Sequence, residues 1–92
     1  MIIAVDFDDT LMINKQPNIA LIMKLKREQA MGNTVILWTC REGKTLKDAV
    51  FFLRRHGFVP NFVNCNSPLG IKKMGHDSRK VYADYYIDNK NM

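Results

Sequence analysis

The sequence predicts an α/β fold: an open, mainly parallel sheet of about four strands with helices on both faces. Three observations predict it. Short, wholly apolar runs alternate with segments of helical period, the connections between runs are of helical length, and the runs end abruptly in polar or acidic residues. At 92 residues the chain forms a single domain, 1–92. Its 47% hydrophobic and 25% charged content is that of a folded domain, which excludes a disordered tail.

Met1 to Val5 is a continuous apolar run, as expected of a strand covered on both faces, and it stops at Asp6. Leu11 to Gln16 reads as a loop, and Pro17 suits the first turn of a helix. Ile19, Ile22, Met23, Leu25 and Met31 recur near helical spacing until Gly32-Asn33 ends it. Thr34 to Trp38, rich in β-branched and large apolar residues, is a second buried strand. The next helix carries Leu46, Ala49, Val50 and Leu53 on one face, a capping box of Thr45 with Asp48, Arg54-Arg55 at its C-terminal end and Gly57 as its left-handed stop. Phe58, Val59, Phe62 and Val63 suggest a third strand around Pro60. Residues 64–79 read as a polar loop with room for one helical turn, and the stretch from Val81 to Ile87 supplies a last strand that ends at Asp88.

Composition narrows the function classes. Cys40 and Cys65 form no disulfide framework and no metal-spacing pattern, which suits a reduced, intracellular protein. No apolar run approaches the roughly 18 residues that span a bilayer, and the opening residues lack a basic leader, so the expectation is a cytoplasmic protein with no membrane partner. The net charge of +5 favours an anionic partner, either a phosphorylated substrate or nucleic acid. Its dense groups are Lys24-Lys26-Arg27, Arg54-Arg55-His56 and Lys72-Lys73; the first two fall on polar helix faces, and such charge serves as solvated surface or as anion steering and nucleic-acid contact.

In a parallel α/β sheet, ligands bind beyond the carboxyl ends of the strands. Asp6, Asp8, Thr39 and Asp88 each follow a strand, so the fold brings them to one rim. Carboxylates gathered there in a partly desolvated cleft repel one another unless one stays protonated or a cation neutralises them. All-oxygen donors with no His or Cys nearby suit Mg²⁺.

Asp6-Phe7-Asp8-Asp9-Thr10-Leu11 resembles the D-x-D-x-T-[LV] signature of the haloacid dehalogenase-like (HAD) phosphohydrolase superfamily, placed after the first hydrophobic strand as in that family. Thr39, Lys80 and Asp88 follow in the family's order, so the resemblance spans nearly the whole chain and implies a Rossmann-like HAD core. It implies that Asp6 is the nucleophile that forms an aspartyl-phosphate, and that Asp8 is the acid and base on the leaving oxygen and on water. Mg²⁺ would be bound by Asp6, the Asp8 carbonyl and Asp88. Thr39 would contact the phosphoryl oxygens and Lys80 would supply the neutralising cation, with Lys72 and Lys73 as competitors for that role. Arg41 is placed to reach a substrate anion or to lie on the surface. Asp84, in a D-x-x-x-D pair with Asp88, falls at the opposite end of the last strand, and Asn89 stands where many members carry a second acid. The roles of Asp9, His56 and His76 stay open or structural.

The spacings leave no room for the cap domain that many members carry. The expected activity is therefore that of a capless, Mg²⁺-dependent phosphate monoesterase whose substrate is a phosphorylated small molecule or macromolecule. The last strand lies at a sheet edge, which a homodimer is one way of covering. Asn64 and Asn66 follow the third strand where a phosphoreceiver domain would need its Asp, which argues against that fold. The alternative is a non-catalytic phosphate- or nucleic-acid-binding module that retains the metal site.

Overall fold

The computed structural model describes residues 1–75 and 81–89. In chain order the elements are β1 (Ile2–Val5), β2 (Met12–Ile13), β3 (Gln16–Pro17), α1 (Ile19–Ala30), β4 (Thr34–Leu37), α2 (Gly43–Arg55), β5 (Phe62–Val63), α3 (Pro68–Met74) and β6 (Tyr85–Ile87). Four strands form an all-parallel sheet in the order β5-β4-β1-β6, and β2 and β3 form a separate antiparallel hairpin. No described segment forms a cap over this sheet.

The strand order follows from the handedness of crossovers. The steps β1 to β4 and β4 to β5 run the same way along the sheet, so right-handed connections put α1 and α2 on one face. The chain then returns past β4 and β1 to place β6 on the far edge, which sends α3 to the other face. The alternation of side chains along each strand matches this division. Ile3, Val5, Val35 and Leu37 pack with Ile22 and Leu25 of α1 and with Ala49 and Leu53 of α2. Ile2, Ala4 and Ile36 point the other way and are covered by Val81 and Ala83, with Trp38, Phe62, Tyr82 and Tyr86 around them. The Tyr86 hydroxyl donates to the Val81 carbonyl at 2.6 Å and accepts from the Ala83 amide, which pins the 81–83 segment to this face. α3 lies against that segment: a β-carbon on Gly70 would come within 3.4 Å of Tyr82.

Several local expectations are corrected. The residues read as a loop after the first motif contain the β2–β3 hairpin, and Pro17 closes β3 while Asn18 caps α1 by accepting from the Leu21 amide at 3.3 Å. α2 begins at Gly43, ahead of the expected capping box. Glu42 stands at its N-cap without a side-chain bond, and the Thr45 hydroxyl donates back to the Glu42 carbonyl. Only Ile22 and Leu25 of the apolar set on α1 are buried, while Ile19, Met23 and Met31 are exposed. The third strand shortens to Phe62–Val63, and Phe58 is a core residue outside it. The one helical turn allowed after it is a seven-residue helix, capped by Ser67 and Gly75. Gly57 has a φ of +79°, as its role of helix stop requires.

Candidate active site

β1 and β6 are neighbours, yet the chain leaves β1 towards one edge of the sheet and reaches β6 at the other. The crevice beyond their carboxyl ends is the topological switch point, where open α/β sheets bind ligands. The Asp6 amide donates to the Ile87 carbonyl at 2.9 Å, so Asp6 and Asp88 extend a ladder in which Val5 faces Ile87. Asp6 continues the face of Ala4, and Asp88 that of Tyr86, so both acids fall on the side of the sheet opposite α1 and α2. A cleft of about 550 Å³ is lined by Asp6, Thr39, Cys40 and Asp88 at its polar end and by Ala4, Trp38 and Tyr86 below them.

The Asp6 carboxyl is pushed above the usual carboxylate range, first by burial and then by the negative charges of Asp8, Asp88 and Asp9. A 2.7 Å hydrogen bond from the Phe7 amide to Oδ1 opposes this only in part. Phe7 itself is buried under α2 and meets Phe52 edge to face at 5.6 Å. Its carbonyl accepts from the amides of Thr10, Leu11 and Met12, which turns the chain sharply behind Asp6. Asp9 sits in that turn at a φ of +59°, and its amide bonds to the Met12 carbonyl. Thr10 is fully buried, and its hydroxyl donates to the Asp8 carbonyl at 3.4 Å.

Asp8 points to a different partner. Its carboxylate takes two hydrogen bonds from Arg41, from Nε at 3.0 Å and from Nη2 at 2.8 Å, and these hold it below the usual carboxylate range. The Arg41 guanidinium also lies over the Phe7 ring, 4.7 Å from its centroid, and donates through Nη1 to the Thr45 carbonyl at 3.1 Å. Arg41 is thus committed to the protein's own acid.

Thr39 lines the cleft, and its hydroxyl accepts from the Arg41 amide at 3.2 Å, leaving its own proton to donate. The Thr39 amide is held by Asn64 Oδ1 at 2.8 Å, and Asn64 bridges back to the Leu37 carbonyl through its own amide. Asn64 therefore orients the loop that carries Thr39 and Arg41. In sequence Asn64 argues only against a phosphoreceiver; an Asn directly after a strand is the signal for this bracing role, and the residue takes a φ of +53°.

The remaining candidates divide by place. Lys80 and His76 lie outside the described residues. Lys73 lies over Tyr82, 5.7 Å from the ring centroid. The Tyr82 hydroxyl bonds to Asp84, whose Oδ2 accepts from the Ile2 amide at 2.7 Å. This group marks the amino end of β1, so Asp84 and Lys73 stand away from the rim. Asn89 is exposed just past Asp88. His56 packs against Phe52 with ring centroids 4.9 Å apart, a structural contact.

Among the described residues no three His, Cys, Asp or Glu side chains cluster to hold a metal. The expected oxygen set needs fewer side chains: two carboxylates, Asp6 and Asp88, with the Asp8 backbone carbonyl. Among the described residues no helix is long and apolar enough to cross a membrane.

No protein-family profile matches the chain, and no curated protein matches it. Among solved structures, a conserved protein coded by a locus of Bacteroides thetaiotaomicron matches with a TM-score of 0.82 and 33% identity over 100% of this chain and 78% of that one. At that identity and coverage, the chain belongs to the same family as this conserved Bacteroides thetaiotaomicron protein.

Proposed function

We propose that the protein is a capless HAD-like phosphohydrolase that hydrolyses a phosphate monoester through an aspartyl-phosphate on Asp6, with Mg²⁺ as its cofactor. The observation that carries this reading is the meeting of Asp6 and Asp88 at the switch point, in one cleft with Thr39. A nucleophilic carboxylate must be ionised and must approach an anionic phosphoryl group. The Asp6 site opposes that ionisation by burial and by neighbouring charge, so it fits a bound divalent cation. Asp6, Asp88 and the Asp8 carbonyl would hold it, and when bound it would offset the charges of nucleophile and phosphoryl group.

In this reading an Asp6 carboxylate oxygen bonds to phosphorus as the ester oxygen leaves, as the anion for a good leaving group such as p-nitrophenolate and otherwise with a proton from the protonated fraction of Asp8. A water then attacks phosphorus, passes a proton to Asp8 and displaces the Asp6 carboxylate, which releases inorganic phosphate. The ionised Asp8 held by Arg41 is the form that accepts the water's proton. The Thr39 hydroxyl donates to a phosphoryl oxygen, and Lys80 is the proposed neutralising cation. The open cleft gives access to a phosphate on a large substrate as readily as on a small one. A cytoplasmic setting goes with this reading.

The test is hydrolysis of p-nitrophenyl phosphate by the wild type and by Asp6→Asn, with and without Mg²⁺. Turnover that requires both Asp6 and Mg²⁺ supports the proposal. Equal rates for the two proteins reject it, and salt-sensitive nucleic-acid binding without turnover favours a non-catalytic module.

A further inference from the structure

We infer that Arg41 is a positioning residue that acts through Asp8, fixing the orientation of its carboxylate in the turn after β1, and is not a ligand for substrate. The inference rests on the phosphohydrolase reading and reassigns the residue that was expected to meet a substrate anion.

The geometry carries it. Asp8 lies in the sharp turn after β1, and half of its side-chain surface faces solvent. A two-torsion carboxylate in that setting has several rotamers available, and acid–base work requires one that reaches the reacting oxygen. The two parallel bonds from Nε and Nη2 select a single orientation, because a planar guanidinium matches a carboxylate in one geometry. The guanidinium is itself held on two further sides, by the face of the buried Phe7 ring and by the Thr45 carbonyl in the first turn of α2. Its backbone is fixed as well, since its amide donates to Thr39 Oγ1. Exposed ion pairs add little to stability. An arginine so fully engaged on such a pair is better explained by the placement of Asp8 than by its contribution to folding. A substrate anion would have to break three hydrogen bonds to recruit it.

A double-mutant cycle on p-nitrophenyl phosphate with Mg²⁺ tests this, using Arg41→Ala, Asp8→Asn and the pair, each checked for folding by circular dichroism. Arg41→Ala is expected to lower kcat about 10- to 100-fold while KM stays within about 2-fold. In the Asp8→Asn background the same change should cost less than about 2-fold, because the group it positions is already gone. Arg41→Lys keeps the charge without the fork and should recover kcat only in part. A rise in KM at unchanged kcat assigns Arg41 to substrate and overturns the inference, as do additive losses in the cycle. Wild-type turnover no faster than Asp6→Asn overturns the phosphohydrolase reading, and the positioning role falls with it. A separate measurement reads the clamp without activity: the Arg41 Nε–Hε proton should exchange slowly by NMR in the wild type and rapidly in Asp8→Ala. Rapid exchange in the wild type shows that no clamp exists.

Discussion

At the residue scale, Asp6 stands where burial and three neighbouring acids all work against its charge. A carboxyl whose pKa is raised by folding stabilises the fold only while protonated. That contribution is complete below the unfolded carboxylate value of about 3.9 and is lost as pH rises through the raised folded value. At neutral pH without metal, the ionised group is therefore a liability. Asp6→Asn removes it and should raise the urea midpoint of the metal-free protein at pH 7, by an amount equivalent to about 0.5–2 kcal/mol. The gain should shrink towards zero near pH 3.5, and a variant less stable than wild type at pH 7 would contradict the electrostatic account. That Asp6, Thr39 and Asp88 would share a rim was legible, because each follows an apolar run and parallel strands end on the same side. The Asp8–Arg41 pair was not, because residues 33 positions apart meet through side-chain reach, which no spacing rule encodes.

At the element scale, the most instructive difference is the β2–β3 hairpin, read in sequence as a loop. Its central residues, Asn14 and Lys15, have φ values of +51° and +64°, the pattern of a type I′ turn. The sequence signal for that turn is Asn-Gly, and Lys in the second position conceals it. A left-handed lysine is strained by about 1 kcal/mol. Lys15→Gly should thus stabilise the protein by a few tenths of a kcal/mol, up to about 0.5, in urea unfolding, the relief of strain less the added freedom of the unfolded chain. A loss of stability would mean that the Lys15 side chain supports the hairpin. α3 escaped full recognition for a related reason: seven residues with Pro68 at the start and Gly70 inside resemble punctuation more than a helix. The last strand is shorter than the apolar stretch from Val81 to Ile87 that contains it. Val81 and Ala83 are apolar because they cover the second face of the sheet, not because they belong to β6.

Asp84 couples this edge element to the rest of the sheet. Its Oδ2 accepts from the Ile2 amide, and this bond lowers its pKa more than the nearby positive charges do. A depressed folded pKa gives stability that is present above the unfolded value of about 3.9 and lost as pH falls through the folded value. Asp84→Asn should therefore cost at most about 0.5–1 kcal/mol at pH 7, below the range for a buried charged acceptor because solvent screens the exposed residue, and progressively less below pH 4. A cost that persists unchanged at pH 3 would point to packing and not to charge.

At the scale of the whole molecule, strand order puts at opposite ends of the sheet two acids that the sequence already assigns to opposite ends of one strand. Asp84 and Asp88 bracket β6, and because β6 runs parallel to β1 they lie at opposite ends of the sheet, with only Asp88 beside Asp6. If the rim holds Mg²⁺, binding to the folded state alone stabilises it by RT ln(1 + [Mg²⁺]/Kd), about 1.4 kcal/mol at ten times Kd. For a domain of this size that corresponds to roughly 5–10 °C in Tm. The wild type should show this rise on addition of Mg²⁺, and Asp84→Asn, though less stable at the outset, should show the same increment. Asp6→Asn and Asp88→Asn should lose most of it, the first despite its higher starting stability, because each removes one of two carboxylates from an oxygen set that has no third. Since the readout is an increment, the different baselines cancel, and a variant's intrinsic stability cannot mimic the result. Equal increments in all four proteins would mean that the cation binds elsewhere, and the convergence of Asp6 and Asp88 would then need a reason other than metal.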